Sequence, residues 1–353
     1  MDRLEILVFG AGAIGTYIGG SLAVAGHRLT FLEQPRGVAD LRRGGLRLEI
    51  PAGRAQPPLV HTLGPDRFRC AASLEDAIGM RRYDLAILAL KSFDTAAALA
   101  SIRPLQADFP PVLCLSNGVD NEPQLAEVLG GERVIAGTVT SAVGRRGVGD
   151  IAVERVRGIG LADGHPLSAA LAQALQEAGL HSRLYPQAAD MKWSKMLTNL
   201  PANATAAILD MTAAEVFAHP GLFDLEMRML GETLDVMKAL GLRVVDLPGT
   251  PVRALAFGIR LPQALSRPLL GKAVGGGRGG KMPSFHIDLH SGRGRSEVDW
   301  LNGAVVRRGE AAGVPAPVNR LLNETLLGLT RGGIPLDAFS RRPEKLLELS
   351  REL

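Results

Sequence analysis

The first half of the chain alternates short apolar runs with segments of helical periodicity. The apolar runs are rich in β-forming residues and have the length of buried parallel strands; they cover residues 3–9, 29–32, 84–90 and 112–115. Segments with a helical pattern follow; the first ends at Ala25, before Gly26, and the others cover residues 94–107 and 121–129. Strands that alternate with helices favour a parallel sheet with helices on both faces.

The pattern changes at about Tyr185, where long helical repeats take over. These repeats cover residues 188–209, 222–240, 298–312 and 318–329. Few strand signals remain in this half of the chain. We therefore predict an α/β fold class with two domains: a doubly wound sheet in residues 1–186 and an all-helical substrate and catalytic domain in residues 187–353.

A glycine turn links the first apolar run to the first helical segment. Gly10 permits the tight turn, Gly12 lets the backbone approach a pyrophosphate, and Gly15 lets helix and strand pack closely. The helix N-terminus presents free N–H groups and the positive end of its dipole to the phosphates. This turn predicts a Rossmann-like dinucleotide-binding domain. The cofactor-binding residues predicted in the turn are Gly10, Gly12, Ala13, Ile14 and Gly15.

An acidic residue, Glu33, follows the second apolar run, roughly 20 residues after the turn. A carboxylate at this position accepts hydrogen bonds from the adenosine ribose and repels the 2′-phosphate of NADP, so Glu33 favours NADH. Arg36 lies near enough in sequence to meet a 2′-phosphate, and NADPH stays open as the alternative. A solvated carboxylate at a strand end is the purely structural interpretation of Glu33.

The composition is that of a globular protein. Hydrophobic residues make up 46% and charged residues 22% of the chain. The net charge of +4 suits an anionic ligand, and the 4% of aromatic residues argues against a nucleic-acid partner. The N-terminus lacks the pattern of a signal peptide, and no apolar stretch reaches the ~18 residues of a membrane span. We expect a cytoplasmic protein that does not bind membranes, with buried free thiols at Cys70 and Cys114.

One stretch, residues 247–283, is rich in Gly and Pro and carries six basic residues but no acidic residue. Its glycine clusters at 275–277 and 279–280 cannot sustain a helix, so one interpretation is a solvated, partly mobile insertion. The alternative is a basic lid over an anionic substrate.

Three polar residues, Lys195, Asn199 and Asn203, recur at intervals of four in the first helical repeat. On a continuous helix they share one face, with a drift of about 40° per step. Burying one cation and two amides is expensive without partners, whereas a solvent-exposed stripe costs nothing. Pro201 should kink this helix.

Two further polar residues follow apolar runs of the first half. Lys91 comes after the third run and Asn117 after the fourth, and in open α/β sheets ligands bind at the carboxyl ends of strands. A surface lysine and an ordinary Asn-Gly turn are the structural alternatives.

Taken together, these motifs resemble the ketopantoate reductase family across almost the whole chain. The shared motifs are the glycine turn, Leu90-Lys91-Ser92 with Asp94-Thr95, Asn117-Gly118-Val119, Trp193-Ser194-Lys195 with Asn199 and Asn203, Met282-Pro283-Ser284 with Asp288, Ser296-Glu297-Val298-Asp299, and Gly313-Val314-Pro315. The resemblance implies a dinucleotide-binding domain joined to a helical domain, and the reduction of a 2-oxo acid by NADPH, with 2-dehydropantoate as the family's substrate in pantothenate biosynthesis.

The resemblance also assigns roles to individual residues. Lys195 is expected to act as the catalytic general acid toward the carbonyl oxygen, and Glu297 to be the catalytic-site glutamate that binds a substrate hydroxyl. The substrate-holding residues implied are Asn199, Asn203 and Ser284. Lys91 and Asn117 are expected to line the nicotinamide side of the site. A lysine ammonium near a ketone both stabilises and protonates the oxyanion that hydride addition creates.

Alternatives remain open from the sequence. A paralogue that reduces another branched 2-oxo acid and a non-catalytic NAD(P)-sensing protein would share much of the pattern. His286 and His290 have the spacing of helical metal ligands, with Asp288 between them, but without a clear third ligand we predict no metal site. The oligomeric state is left open, a homodimer being one alternative.

Overall fold

The computed structural model describes residues 3–53, 56–271 and 282–353. The chain forms two compact units, and each unit contains more than one segment. The first unit comprises Met1–Ser116, Asp120–Lys192 and Leu247–Thr250. The second unit comprises Asn117–Val119, Trp193–Asp246 and Pro251–Leu353. The functional division after residue 186 stays a prediction.

The first unit is built on strands and the helices that connect them. Its described strands are β1 (Glu5–Phe9), β2 (Arg28–Leu32), β3 (Leu46–Ile50), β4 (Leu59–Leu63), β5 (Arg69–Ala71), β6 (Leu85–Leu88), β7 (Val112–Cys114), β8 (Val134–Val139), β9 (Ala142–Gly147), β10 (Asp150–Arg155), β11 (Ile159–Ala162) and β12 (Ser182–Tyr185). The helices that begin in this part of the chain are α1 (Ala13–Val24), α2 (Pro35–Gly44), α3 (Leu74–Met80), α4 (Thr95–Ile102), α5 (Asn121–Leu129), α6 (Ser168–Glu177) and α7 (Ala188–Asn199).

The main sheet has eight strands in the order β12-β11-β8-β7-β6-β1-β2-β5. All neighbouring pairs are parallel except β11 with β8. Successive side chains of a strand point to opposite faces, and in β1 both sets are buried. Ile6 and Val8 pack in one apolar cluster, whereas Leu7 and Phe9 pack in another. The predicted doubly wound, Rossmann-like sheet is therefore confirmed.

A second sheet was not predicted. It has four strands in the order β4-β3-β10-β9, with β3 and β10 parallel and the other two pairs antiparallel. β3 (Leu46–Ile50) alternates apolar and charged residues, but β9 does not, and β4 is largely exposed. The periodicity of such short, half-exposed strands is too weak to separate them from loops.

The second unit is formed by helices, as predicted for the C-terminal half. After the end of α7 they are α8 (Asn203–Leu209), α9 (Ala213–Ala218), α10 (Pro220–Ala239), α11 (Val252–Arg260), α12 (Gln263–Leu270), α13 (Ser284–His290), α14 (Val298–Ala311), α15 (Pro317–Thr330) and α16 (Pro343–Arg351). Within the described ranges, no helix is both long enough and apolar enough to cross a membrane.

The single helix predicted over residues 188–209 is wrong, because the segment forms two helices. Pro201 has no N–H to donate, and Ala202 adopts a left-handed conformation with φ of 54°. Helix α7 ends at Asn199 and α8 begins at Asn203. Lys195, Asn199 and Asn203 therefore do not share the face of one continuous helix.

The stretch 247–283, interpreted above as a solvated, partly mobile insertion or a basic lid, is helical in part. Its first part contains the helices α11 and α12, and α12 tolerates Pro268 inside it. These helices are short, and the Gly and Pro residues around them obscure their helical pattern in the sequence. The glycine clusters at 275–277 and 279–280, on which the interpretation of a mobile segment depended, lie outside the described residues.

Candidate functional site

The glycine turn has the geometry that a dinucleotide site needs. Gly10 has φ of 87°, and its N–H donates to the Leu32 carbonyl at 2.9 Å. A Cβ on Gly15 would lie 1.9 Å from the Gly10 carbonyl oxygen, so only glycine fits there. A Cβ on Gly12, in contrast, would meet no atom of the described residues within 4 Å. The space beside Gly12 is therefore open to a ligand.

Helix α1 begins directly after this open space, at Ala13. Gly12 is its N-cap, and in the described structure no side chain caps the first turn. The N–H groups of the first turn have no partner inside the helix, and the dipole adds positive potential. Ala13, Ile14 and Gly15 thus present backbone donors where a pyrophosphate would bind.

Glu33 is tied to the glycine turn. Its Oε2 accepts a hydrogen bond from the Ala11 N–H at 2.8 Å, and its Oε1 accepts one from the Gln34 N–H at 2.9 Å. A Cβ on Gly37 would lie 2.3 Å from the Glu33 Cγ, so the side chain packs against the start of α2. The structure therefore brings Glu33 beside the turn, and its contact with the ribose stays a prediction.

Lys91 lies at the carboxyl end of the neighbouring strand. It is partly buried, and its carbonyl accepts the Asp94 N–H at 2.8 Å at the start of a short 3₁₀ turn. The residue before it, Leu90, packs on the turn, since its Cδ2 would lie 3.0 Å from a Cβ on Gly10. The segment that carries Lys91 is therefore adjacent to the glycine turn.

The second unit collects most of the other predicted residues in one hydrogen-bonded chain. The Asn199 Nδ2 donates to the Asn117 Oδ1 at 3.1 Å, and the Asn203 Nδ2 donates to the Asn199 carbonyl at 3.2 Å. The Asn203 Nδ2 also contacts the Ser284 Oγ at 3.3 Å, while its Oδ1 accepts the Phe285 N–H at 3.1 Å. Asn203 is 5% exposed, so its amide is buried with partners. Residues distant in sequence are thereby assembled next to Lys195, which is partly buried on α7.

Glu297 lies at the start of α14, and this helix packs on the turn that contains Asn117. Glu297 is 1% exposed and forms the N-cap of α14. The first turn of α14 packs on the Asn117-Gly118 turn, because a Cβ on Gly118 would lie 2.5 Å from the Trp300 carbonyl oxygen. Gly118 also has φ of 83°, which favours glycine. The catalytic and substrate roles of these residues stay predictions.

Sequence reasoning missed a buried carboxylate, Glu226 on α10. It is 0% exposed, and its Oε2 accepts the N–H of the left-handed Ala202 at 2.7 Å. Its Oε1 accepts the Thr205 hydroxyl. Glu226 thus holds the break between α7 and α8, which sets the position of Asn203. The available signal was an acidic residue on the same helical face as Leu222, Phe223, Met229 and Leu230.

Lys192 is a second residue that sequence reasoning missed. Its ammonium is 5% exposed and lies 2.7 Å from the Glu122 carboxylate and 2.7 Å from the Ser116 carbonyl oxygen. Burial lowers the pKa of Lys192, but the attraction of Glu122 outweighs it and the pKa is raised. The ion pair fixes the segment after β7, directly before Asn117. A lysine between Met191 and Trp193 in an apolar helix was the signal for it.

We expect Lys192→Met to destabilise the protein by about 3–5 kcal/mol, because it leaves the Glu122 carboxylate buried without its counter-charge. Chemical denaturation followed by circular dichroism measures the change in the free energy of unfolding. The double variant Lys192→Met with Glu122→Gln should recover much of the loss, and Lys238→Met, at an exposed lysine, is the control. Equal stability of Lys192→Met and wild type would show that the pair is not structural.

Comparison with known protein families matches both halves of the chain. The family described as ketopantoate reductase PanE/ApbA matches residues 6–162. The family described as ketopantoate reductase PanE/ApbA C terminal matches residues 187–329.

Individual relatives extend over nearly the full length. A 2-dehydropantoate 2-reductase of Halobacterium salinarum is 29% identical, covering 94% of this chain and 100% of the relative. One from Archaeoglobus fulgidus is 27% identical, covering 94% and 98%. Among solved structures, a PanE/ApbA family ketopantoate reductase from Ralstonia eutropha has a TM-score of 0.77 at 26% identity, covering 93% of this chain and 99% of that one. A D-mandelate dehydrogenase solved with NADH and anilino(oxo)acetate has a TM-score of 0.74 at 22% identity, covering 93% and 99%, which shows the fold alone.

Proposed function

The chain belongs to the ketopantoate reductase family and is an NAD(P)-dependent oxidoreductase; on that premise we propose that it reduces 2-dehydropantoate to pantoate. The observation that carries the proposal is the chain of hydrogen bonds that joins Asn117, Asn199, Asn203 and Ser284 next to Lys195. Asn203 is buried, Asn117 and Asn199 are partly buried, and Ser284 is exposed. Amides and a hydroxyl beside one cation suit a small, polar, anionic substrate.

The residues of the first unit fit a dinucleotide. The open space at Gly12 would be filled by a Cβ or by a pyrophosphate, and the uncapped first turn of α1 offers donors to phosphate oxygens. Glu33 lies where it can accept hydrogen bonds from a ribose. When bound, the reduced nicotinamide supplies the hydride for the reaction.

The residues of the second unit supply the remaining chemistry. We assign Lys195 as the general acid, whose ammonium stabilises the developing oxyanion and transfers a proton to the carbonyl oxygen. Glu297 accepts a hydrogen bond from the substrate hydroxyl, and its burial excludes competing water. The side chains that hold the substrate are those of Asn199, Asn203 and Ser284. Their hydrogen bonds fix the orientation of the ketone toward the hydride and Lys195.

A steady-state panel tests the choice of substrate. We expect kcat/KM for 2-dehydropantoate to exceed that for pyruvate, 2-oxoisovalerate and benzoylformate by at least about tenfold, because only 2-dehydropantoate offers a hydroxyl to Glu297. Glu297→Gln should erase most of this preference while it leaves kcat/KM for the three oxo acids without a hydroxyl nearly unaffected. A higher kcat/KM for one of the other 2-oxo acids would make the protein a paralogue with a different substrate.

The nucleotide preference is the next prediction. We propose that NADH is used at least as well as NADPH, because the Glu33 carboxylate lies beside the turn and would face a 2′-phosphate of up to two negative charges. Repulsion at this range costs about tenfold or more in affinity. The double variant Glu33→Ser with Gln34→Arg should shift the ratio of kcat/KM toward NADPH. Measurement of kcat/KM for both nucleotides at fixed ionic strength gives this ratio, with Glu75→Ser, at an exposed acidic residue of α3, as the control. A strong wild-type preference for NADPH would refute the role of Glu33.

A further inference from the structure

Helices α8 and α13 pack on each other, and they carry polar contacts at two levels. At one level Asn203 binds the Ser284 hydroxyl and the Phe285 N–H. At the other level Asp210, the residue that ends α8, meets the histidines of α13. The second contact takes no part in the proposed reaction.

The side chains at this second level form a compact cluster. The His286 Nε2 lies 2.8 Å from the Asp210 Oδ1. The rings of His286 and His290, one helical turn apart, have their centroids 4.2 Å apart. One potential ligand atom from each of the three side chains lies within 4.8 Å of the others. A tetrahedral ion with bonds of about 2.0–2.2 Å needs its ligand atoms about 3.4 Å apart, so small side-chain rotations would bring these donors to the spacing of a metal site.

The cluster is open to solvent and has a negative centre. Asp210 is half exposed and His290 is exposed, so an ion can enter without unfolding. Arg341 is the cation that opposes a metal, but its guanidinium is paired with Glu215. Asp210 supplies the one carboxylate of the cluster.

We propose that Asp210, His286 and His290 bind a divalent transition metal ion, with Zn²⁺ and Co²⁺ as the expected ions and water completing the coordination. Histidines at positions i and i+4 of a helix chelate one ion from a single face. Two imidazoles and one carboxylate are ligands that zinc and its neighbours prefer over Mg²⁺ or Ca²⁺. The sequence contained the histidine pair, and the structure supplies the third ligand from Asp210, 76 residues before His286.

The ion would connect α8 to α13 and thereby stabilise the contact that Asn203 makes with Ser284 on the same two helices. A ligand that binds only the folded state raises the melting temperature, and here we expect a rise of about 2–4 °C or more at saturating Zn²⁺. This inference does not depend on the identity of the substrate, because binding and melting are measured without turnover.

The experiment uses the full chain, purified without a histidine tag and treated with chelator. Titration with Co²⁺ should produce visible d–d absorption that saturates at one ion per chain, and calorimetry with Zn²⁺ should give the same stoichiometry. Asp210→Asn keeps the left-handed conformation, since Asn tolerates positive φ. His290→Ala alters an exposed side chain. Each should weaken binding by at least about tenfold and abolish the rise in melting temperature.

His61→Ala, which removes a histidine from β4, is the matched control and should bind Co²⁺ like the wild type. Absence of saturable Co²⁺ absorption in the wild type would overturn the proposal. So would affinities that Asp210→Asn and His290→Ala leave unchanged, because the metal would then be bound elsewhere.

Discussion

Replacement of Lys195 by alanine is expected to lower kcat by about 10²–10⁴-fold, the usual contribution of a general acid. The ammonium has two functions in the proposed reaction, since it stabilises the oxyanion and donates the proton. Lys195 is partly buried on α7, one turn before Asn199, whose amide is already bound to Asn117. Loss of the ammonium removes the acid, whereas the hydrogen bond between Asn199 and Asn117 joins two other side chains.

Stopped-flow single turnovers measure the chemical step, and fluorescence titration measures the Kd for the nucleotide, which should stay near the wild-type value. Lys238→Ala, at an exposed lysine of α10, is the control for loss of a positive charge. A small amine added to Lys195→Ala should restore part of the rate. Retention of most of the turnover by Lys195→Ala would remove this residue from the mechanism.

The second large effect is expected from Gly12→Val, which should weaken nucleotide binding by at least about 100-fold, or about 2.8 kcal/mol. The backbone of Gly12 is extended, with φ of −77°, so valine is tolerated without strain. Its Cβ meets no atom of the described chain within 4 Å, and the branched side chain would occupy the space of the pyrophosphate. The Gly12→Val variant should therefore fold like the wild type but fail to bind the nucleotide.

Calorimetry gives the affinity of Gly12→Val, and circular dichroism gives its melting temperature. Gly79→Val, at an exposed glycine with open space, should change neither the fold nor the affinity for nucleotide. Gly15→Ala should behave differently from both, because its Cβ would lie 1.9 Å from the Gly10 carbonyl oxygen and the fold itself would suffer. Unchanged nucleotide affinity in folded Gly12→Val would show that the dinucleotide binds elsewhere.

The dinucleotide-binding half was accessible from the sequence because its signals are local. The run that forms β1, the glycine turn and the start of α1 follow one another directly, and Glu33 comes directly after β2. Each element there is specified by residues close in sequence. The packing of Leu7 and Val8 into opposite cores is what makes the strand wholly apolar and therefore recognisable.

The rest of the chain depends on contacts between distant residues, which a single sequence does not display. The break after Asn199 needs Glu226 from another helix to hold the left-handed Ala202. The sheet of β3, β4, β9 and β10 exists through pairing across about 100 residues. Lys192 could be buried only because Glu122 neutralises it. In each case the missing information is the identity of the partner.

Transfer of the hydride can be followed directly with deuterium. The protein is incubated with 2-dehydropantoate and nicotinamide nucleotide that carries deuterium at the transferred position, and the product is analysed by mass spectrometry. We predict pantoate with one deuterium at C2, the former ketone carbon, formed in equal amount to the oxidised nucleotide and at an initial rate about 10²–10⁴-fold lower in Lys195→Ala. Nucleotide binding without transfer of deuterium to 2-dehydropantoate or to any other 2-oxo acid would contradict the proposed reaction.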